Sequence, residues 1–397
     1  MENMEVSEGE THQVIDIFIK LVKSEILATS LDNSVAKSVD QNMMKELYVL
    51  SKKHDMTHLV AAALERNDLL GKDEVSNKIR NSFYTAVRRD AMKERELQQI
   101  YQLFEEEHIV FIPLKGAVIR DLYPEPWMRT SCDIDILVKE EDVERAKEIV
   151  ISQLNYKMAG QNYHDISLYS QTNVHLELHY WIKEHMDNID QLLERVWDYV
   201  QPIKEGSYQY QMKTEFMMFY HFAHMAYHFT HGGCGVRNFI DIWLMEKALD
   251  YEQELLASYC EMCGIKVFAD YAKKISYIWM EDREHDEITK RMQSHIVDNG
   301  VYGTQESSVT SRNTTVNGKG KYLLQRIFMP RRVLCILYPK LKEYPILYPY
   351  YIVKRWTCLL DGGRAQRIMS EVKVHHSVTK DSIQDMKEVF DELGLMK

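Results

Sequence analysis

Ile109-Val-Phe-Ile-Pro-Leu-Lys-Gly116 and, after a short connection, Ser131-Cys-Asp-Ile-Asp-Ile-Leu-Val138 are the two runs that decide how this chain folds. The first is apolar without a break from Ile109 to Leu114, of strand length, and stops at Lys115-Gly116. The second alternates acid and aliphatic. On a strand, side chains two apart point the same way, so Asp133 and Asp135 share one face while Ile134 and Ile136 share the other. Two carboxylates on one face repel, and burying them unpaired is costly. A divalent cation relieves both problems, and hard oxygen ligands suit Mg2+ or Mn2+.

An Asp-x-Asp pair alone is equally at home on a solvated strand edge, so its context carries the argument. An apolar strand, a glycine opening a helix, and then a strand with two acids is the order a nucleotidyl-transfer site requires. The glycine lets a triphosphate approach the backbone, helix amides favour the anion, and metal held by the acids activates a hydroxyl and neutralises pyrophosphate.

Working outward, residues 172–180 form a further alternating run. Val174, Leu176 and Leu178 face one way; His175, Glu177 and His179 face the other. Glu177 is thus a candidate third carboxylate for a metal site, or a general base on the acceptor hydroxyl. His179 is placed to contact a phosphate or to orient Glu177. A second strand is expected over 162–169, and a helix follows the acidic strand at Glu140-Glu-Asp-Val-Glu-Arg-Ala, acids in its first turn.

Upstream, Val14, Ile17, Phe18, Leu21 and Val22 have helical spacing, and further helices are expected over 41–52, 56–66 and 75–108, after a frayed tip at 1–10. Downstream, a helix begins near 213. Its His221, His224, His228 and His231 fall within an arc of roughly 80° at about 100° per residue. They form either a packed face or a metal face, and the latter would make the chain a metal-dependent hydrolase. Gly232-Gly-Cys-Gly235 breaks that helix. On the next, Arg237 and Asp241 are four apart, which is ion-pair spacing; the alternative is Arg237 reaching a triphosphate.

The polar, Gly/Ser/Thr-rich stretch 298–320 reads as a linker or loop. Beyond it, 319–373 holds 12 Lys and Arg against 3 Asp and Glu, which is +9 in a chain of net charge −11. That region, with its Tyr-Pro pairs, suits an anionic acceptor or surface, or docking on the acidic body of its own chain or of a second subunit in a homodimer. The last 20 residues form an amphipathic helix ending at Gly394.

The remaining composition is that of a globular protein: 397 residues, 45% apolar, 27% charged. The acidic balance argues against coating nucleic acid. Six scattered cysteines make no disulfide framework, so a reducing, cytoplasmic setting is expected, and Cys260 and Cys263 read as core residues one turn apart. No signal peptide or transmembrane run stands out.

Residues 111–138 resemble the signature of a bacterial nucleotidyltransferase family within the polymerase-beta-like superfamily of minimal nucleotidyltransferases. The match rests on Leu114, Lys115, Gly116, Tyr123, Arg129, Asp133, Asp135, Leu137 and Val138. Leu176-Glu-Leu-His-Tyr180 and residues 52–60 are similar to further parts of the pattern. Departures are Ala117, where a serine often follows the glycine, and Cys132, where a small residue is usual. The resemblance implies an α/β fold, a small mixed-sheet nucleotidyltransferase core flanked by N- and C-terminal helical regions. We divide the chain into a helical cap (1–108), core (109–205), helical domain (206–297), linker (298–320) and basic C-terminal region (321–397). The implied reaction moves an NMP from an NTP to an acceptor hydroxyl on tRNA, protein or a small molecule. Asp133, Asp135 and Glu177 would hold Mg2+ or Mn2+, and Lys115, Gly116, Arg129, His179 and Arg237 would meet the nucleotide. A catalytically silent nucleotide- or partner-binding module of the same fold is the other expectation.

Overall fold

The computed structural model describes residues 8–301 other than Tyr163 and His185, together with Gly303, Leu334, Tyr338, Leu341 and the segments 344–359 and 380–396. The extreme N-terminal tip, most of the expected linker and most of the basic stretch lie outside these residues.

Helices α1 (Glu8–Ile26), α2 (Asn33–Ser38), α3 (Gln41–Lys53), α4 (Thr57–Arg66) and α5 (Glu74–Glu106) open the chain. Aspartates set several of their starts: Asp40 accepts from the amides of Asn42 and Met43, and Asp73 from those of Val75 and Ser76. The stripe Val14, Ile17, Phe18, Leu21 and Val22 is buried, as its spacing requires. Helix α5 has 33 residues and so spans about 50 Å.

The sheet follows: β1 (Phe111–Pro113), β2 (Asp133–Val138), β3 (Lys157–Gln161), β4 (Asp165–Tyr169) and β5 (His175–His179), in the spatial order β1-β2-β5-β4-β3. β2 and β5 run parallel; the other neighbours are antiparallel. Helix α6 (Gly116–Ile119) follows β1, and α7 (Val143–Leu154) follows β2. Strand β3 is an addition to the sequence reading. Lys157-Met-Ala-Gly-Gln161 has no alternation, is largely exposed and carries a register shift between Met158 and Gly160, so it gave no strand signal.

After α8 (Asp187–Leu193), the short strands β6 (Val200–Pro202) and β7 (Tyr210–Met212) form a hairpin sheet, tied to β1 where the Phe111 amide donates to the Tyr208 carbonyl at 3.0 Å. Helices α9 (Thr214–Thr230), α10 (Val236–Ala248), α11 (Gln253–Met262), α12 (Lys266–Glu281) and α13 (Glu287–Asn299) complete the body. Of the later described helices, α14 (Tyr348–Leu359) and α15 (Lys380–Glu392), α15 returns to the body: Phe390 is buried against Phe229, and Arg291 pairs with Glu392 at 2.9 Å.

Two large hydrophobic cores hold the body together, and among the described residues a small third one gathers Leu334, Leu341, Tyr351 and Ile352. Ile134, Ile136, Ile166, Leu168, Leu176 and Leu178 bury one sheet face against Leu97, Ile100 and Phe104 of α5 and Val143, Ala146 and Val150 of α7. The second core joins α1, α3, α4 and the start of α5 to α9–α13, and Ile112, Leu114 and Leu137 reach into it from the sheet. The N- and C-terminal helical regions therefore share a single core. The face of β2 that carries Asp133 and Asp135 continues through Leu137 into that core, so the two acids lie in the seam between sheet and helices.

Candidate active site

The parallel register of β2 and β5 sets Asp133 beside His175, Asp135 beside Glu177 and Leu137 beside His179. Asp133, Asp135, Glu177, His175 and His179 consequently crowd one face. His179 Nε2 donates to Asp135 Oδ1 at 2.9 Å and lies 3.4 Å from Glu177 Oε2, while His175 Nε2 lies 3.7 Å from Glu177 Oε1. The donor atoms of Asp133, His175 and Glu177, and again those of Asp135, Glu177 and His179, all lie within 4.8 Å of one another. That spacing fits a single cation in each set, at the 2.0–2.6 Å typical of metal–ligand bonds. The site residues therefore fit a divalent metal.

Electrostatics separates the two aspartates. Burial, then Asp135 and Glu177, push the Asp133 carboxyl up, only partly opposed by Lys93 and Lys115. Burial acts to raise Asp135 too, but the hydrogen bond and charge of His179, with Lys115 and His224, outweigh it and hold the carboxyl below the usual range. His179 answers in kind: burial works against its proton, yet Asp135 and Glu177 lift it to about 9.

Lys115 lies between β1 and α6 with φ 36°, a left-handed backbone for a residue with a Cβ, and so a strained position. Its ammonium sits 5.1 Å from the centre of the Tyr220 ring and 3.9 Å from Glu184 Oε1. Burial opposes that charge, but Tyr220, Glu184 and Asp135 overcome it and keep the lysine firmly protonated. Gly116 is buried, and a Cβ there would meet Arg129 Nη1 at 3.1 Å and Ser131 Oγ at 3.2 Å. The close approach that demands glycine is made, within the described residues, by the loop leading into β2.

Arg129 and Arg237 are placed differently from the spacing argument. Asp241 pairs with Arg129, not with Arg237 four residues before it: Arg129 donates through Nε to Asp241 Oδ1 at 3.0 Å and through Nη2 to Oδ2 at 2.8 Å. Tyr123 OH also donates to Asp241 Oδ1, at 2.7 Å. The i,i+4 rule lost because a fully buried carboxylate accepts the two-pronged guanidinium that reaches it across the seam. Arg237 instead donates to the Thr130 carbonyl at 2.6 Å and lies 3.4 Å from Asp55 Oδ2. Both arginines thus clamp the loop before β2, and neither reaches the acids.

The histidines of α9 are dispersed in role. His221 donates to the Asn238 carbonyl at 2.9 Å, and His231 shares a 2.8 Å contact with the Tyr227 carbonyl. His224 Nδ1 donates to Glu184 Oε1 at 2.9 Å, and His228 packs edge-on against His224. Among the described residues, no group of potential metal ligands includes any of the four. Cys260 and Cys263 are buried thiols, as their spacing suggested.

Two residues that sequence reasoning missed are central. Glu184, after β5, is buried beside Lys115 and His224; burial tends to raise it, but His224 and Lys115 draw it down to about 2. Lys93, on α5, donates to the Ser131 carbonyl, to Ser131 Oγ at 2.8 Å and towards the Asp133 carbonyl at 3.4 Å. Burial lowers Lys93 to about 8, with Asp133 pulling the other way. It lines a cavity of about 360 Å³ beneath α3–α5 whose wall also carries Lys52, Arg89, Ser131 and Cys132. Among the described residues Lys52 and Arg89 make no ion pair. A second cavity, of about 330 Å³, is lined by Pro113, Lys115, Ala117, Tyr220 and His221.

Three acids thus lie on adjacent parallel strands, after a glycine-opened turn and between helices. A family described as uncharacterised nucleotidyltransferase matches residues 40–280, and the chain belongs to that family. No curated protein and no solved structure gives a significant match. No described helix is long and apolar enough to cross a membrane.

Proposed function

We propose that this chain transfers a nucleoside monophosphate from an NTP to an acceptor hydroxyl, in a site of the polymerase-beta-like kind. The observation that carries the reading is the β2–β5 register, which sets Glu177 directly beside Asp135. Asp133, Asp135 and Glu177 would hold Mg2+ or Mn2+, which when bound neutralises triphosphate charge and acidifies the hydroxyl.

The residues divide the remaining work. The acceptor oxygen forms a bond to the α-phosphorus as the bond from that phosphorus to the α–β bridging oxygen breaks. The hydroxyl proton passes to water and pyrophosphate leaves. Lys93, Lys52 and Arg89 give the triphosphate a cationic cavity ending at Cys132, next to the first aspartate. Before metal binds, Lys115 and His179 hold Asp135 ionised, and metal binding would displace the His179 proton. Gly116 lets the loop before β2 close, and Arg129 and Arg237 keep that loop in place, acting on the nucleotide through it. The second cavity, beside Lys115, is offered to the acceptor.

The test is incubation with each α-labelled NTP, Mg2+ or Mn2+ and a total cell extract, comparing wild type with Asp133→Ala/Asp135→Ala. Label transferred only by wild type establishes the reaction and identifies the acceptor as RNA, protein or small molecule. Metal-dependent NTP binding without any transfer favours the silent-module alternative, and absence of NTP binding overturns the reading.

A further inference from the structure

The geometry points to a metal site built from imidazole as well as carboxylate: His175 and His179 would each ligate a cation, Glu177 would be shared, and the site would select Mn2+ over Mg2+. This rests on the nucleotidyl-transfer reading and goes beyond it in naming the ligands and the ion. Three sets of converging donors occur among the described residues; His164–Asp165–His179 lies to one side, while Asp133–His175–Glu177 and Asp135–Glu177–His179 each have one aspartate, one histidine and the same glutamate. Glu177 divides its oxygens between them, Oε1 towards His175 and Oε2 towards His179.

The fold enforces this arrangement. Residues 175, 177 and 179 alternate on β5, so both imidazoles flank Glu177 on the acidic face. Neither ring is loose. His175 stacks on Tyr169 with 4.5 Å between centroids and 12° between planes, and His179 stacks on His164 at 6.1 Å. The other polar contact of His175 Nε2 is the Ser167 hydroxyl at 2.6 Å, a neutral partner that a cation displaces.

Ligand chemistry then decides the ion. Mg2+ takes oxygen and water in strict octahedra, whereas first-row divalent ions accept imidazole and rise in affinity through the Irving–Williams order. A nitrogen in each donor set therefore favours Mn2+ over Mg2+. A purely orienting role for the histidines would give no such preference, because positioning a carboxylate helps both ions alike.

The experiment is Mn2+ titration of the full chain followed by electron paramagnetic resonance, with pulsed detection of nitrogen coupled to the bound ion, and Mg2+ competition by calorimetry. The expected result is 14N coupling in wild type and Mn2+ bound at least about tenfold more tightly than Mg2+. His175→Gln and His179→Gln should each reduce that coupling and bring the preference down to within about threefold, and circular dichroism checks that both variants fold. Bound Mn2+ without nitrogen coupling, or variants that weaken both ions equally, overturns the imidazole ligation while label transfer with Mg2+ leaves the enzyme reading standing. Failure to bind any divalent ion overturns both.

Discussion

Asp133 and Asp135 are two positions apart on one strand, yet their surroundings pull their protons in opposite directions. Asp135 is stabilised as the anion by His179 and Lys115, whereas Asp133 is disfavoured as an anion by burial and by its two acidic neighbours. Replacing Asp133 with Asn therefore removes repulsion: the metal-free protein should melt higher by about 2 °C in calorimetry. Transfer activity should fall by roughly three orders of magnitude, since one metal ligand is gone. Arg89 offers the converse case. It is exposed, lines the cationic cavity and makes no described ion pair, so Arg89→Ala should weaken NTP binding by about tenfold while moving the melting temperature by less than about 1 °C. Calorimetric NTP titration checks the first, thermal melts the second. At this scale the acids were legible because a strand's period is fixed by its backbone. Lys93 and Glu184 were not, because their partners, Ser131 for one and Lys115 and His224 for the other, come from distant elements and no local period announces them.

Helix α1 and strands β2 and β5 follow from the spacing of their apolar residues, whereas the three-residue β6 and β7 are too short to show a period and β3 has none. Elements also misled through their own regularity. Arg237 and Asp241 lie on one face of α10, but tertiary approach gave Asp241 to Arg129, which lies on the loop entering β2. That pair joins the sheet to the helical body, with both partners nearly inaccessible. Asp241→Ala leaves a guanidinium buried without its counterion and should cost about 3–5 kcal/mol by denaturant unfolding, while Asp241→Asn, which keeps the shape and one acceptor, should lose less. The same variants should loosen the loop at Arg129–Cys132 and raise the KM for NTP.

Four buried histidines give the molecule a shared acid response. Burial first, in every case, lowers His54, His58, His221 and His295 to about 4, so the native state holds these rings neutral. An unfolded chain protonates histidine below about pH 6.5, so between pH 6.5 and 4 it binds more protons than the native state does. Stability contributed by these rings is complete above about pH 6.5 and falls as pH drops towards 4, each histidine giving a slope of up to about 1.4 kcal/mol per pH unit. Melting temperatures measured by circular dichroism should decline steadily over that window. The histidines themselves were visible in the sequence; their burial depended on a core shared between chain ends, which no local pattern encodes.

Helix α5 enters both large hydrophobic cores, with Ile79 in one and Leu97, Ile100 and Phe104 in the other, and between them it presents Arg89 and Lys93 to the cavity and the acidic strand. It is, in effect, a ruler. Adding one residue between Ala86 and Arg89 would advance everything beyond by about 1.5 Å and turn it by about 100°. With both ends anchored, that phase error has nowhere to dissipate: either the sheet loses its cover or Lys93 swings away from Ser131. Seven added residues, two nearly whole turns, would restore the phase but not the length. The chain should thus tolerate substitutions along α5 far better than any change in its residue count, as a comparison of single-residue insertions with point variants would reveal in the yield of folded protein.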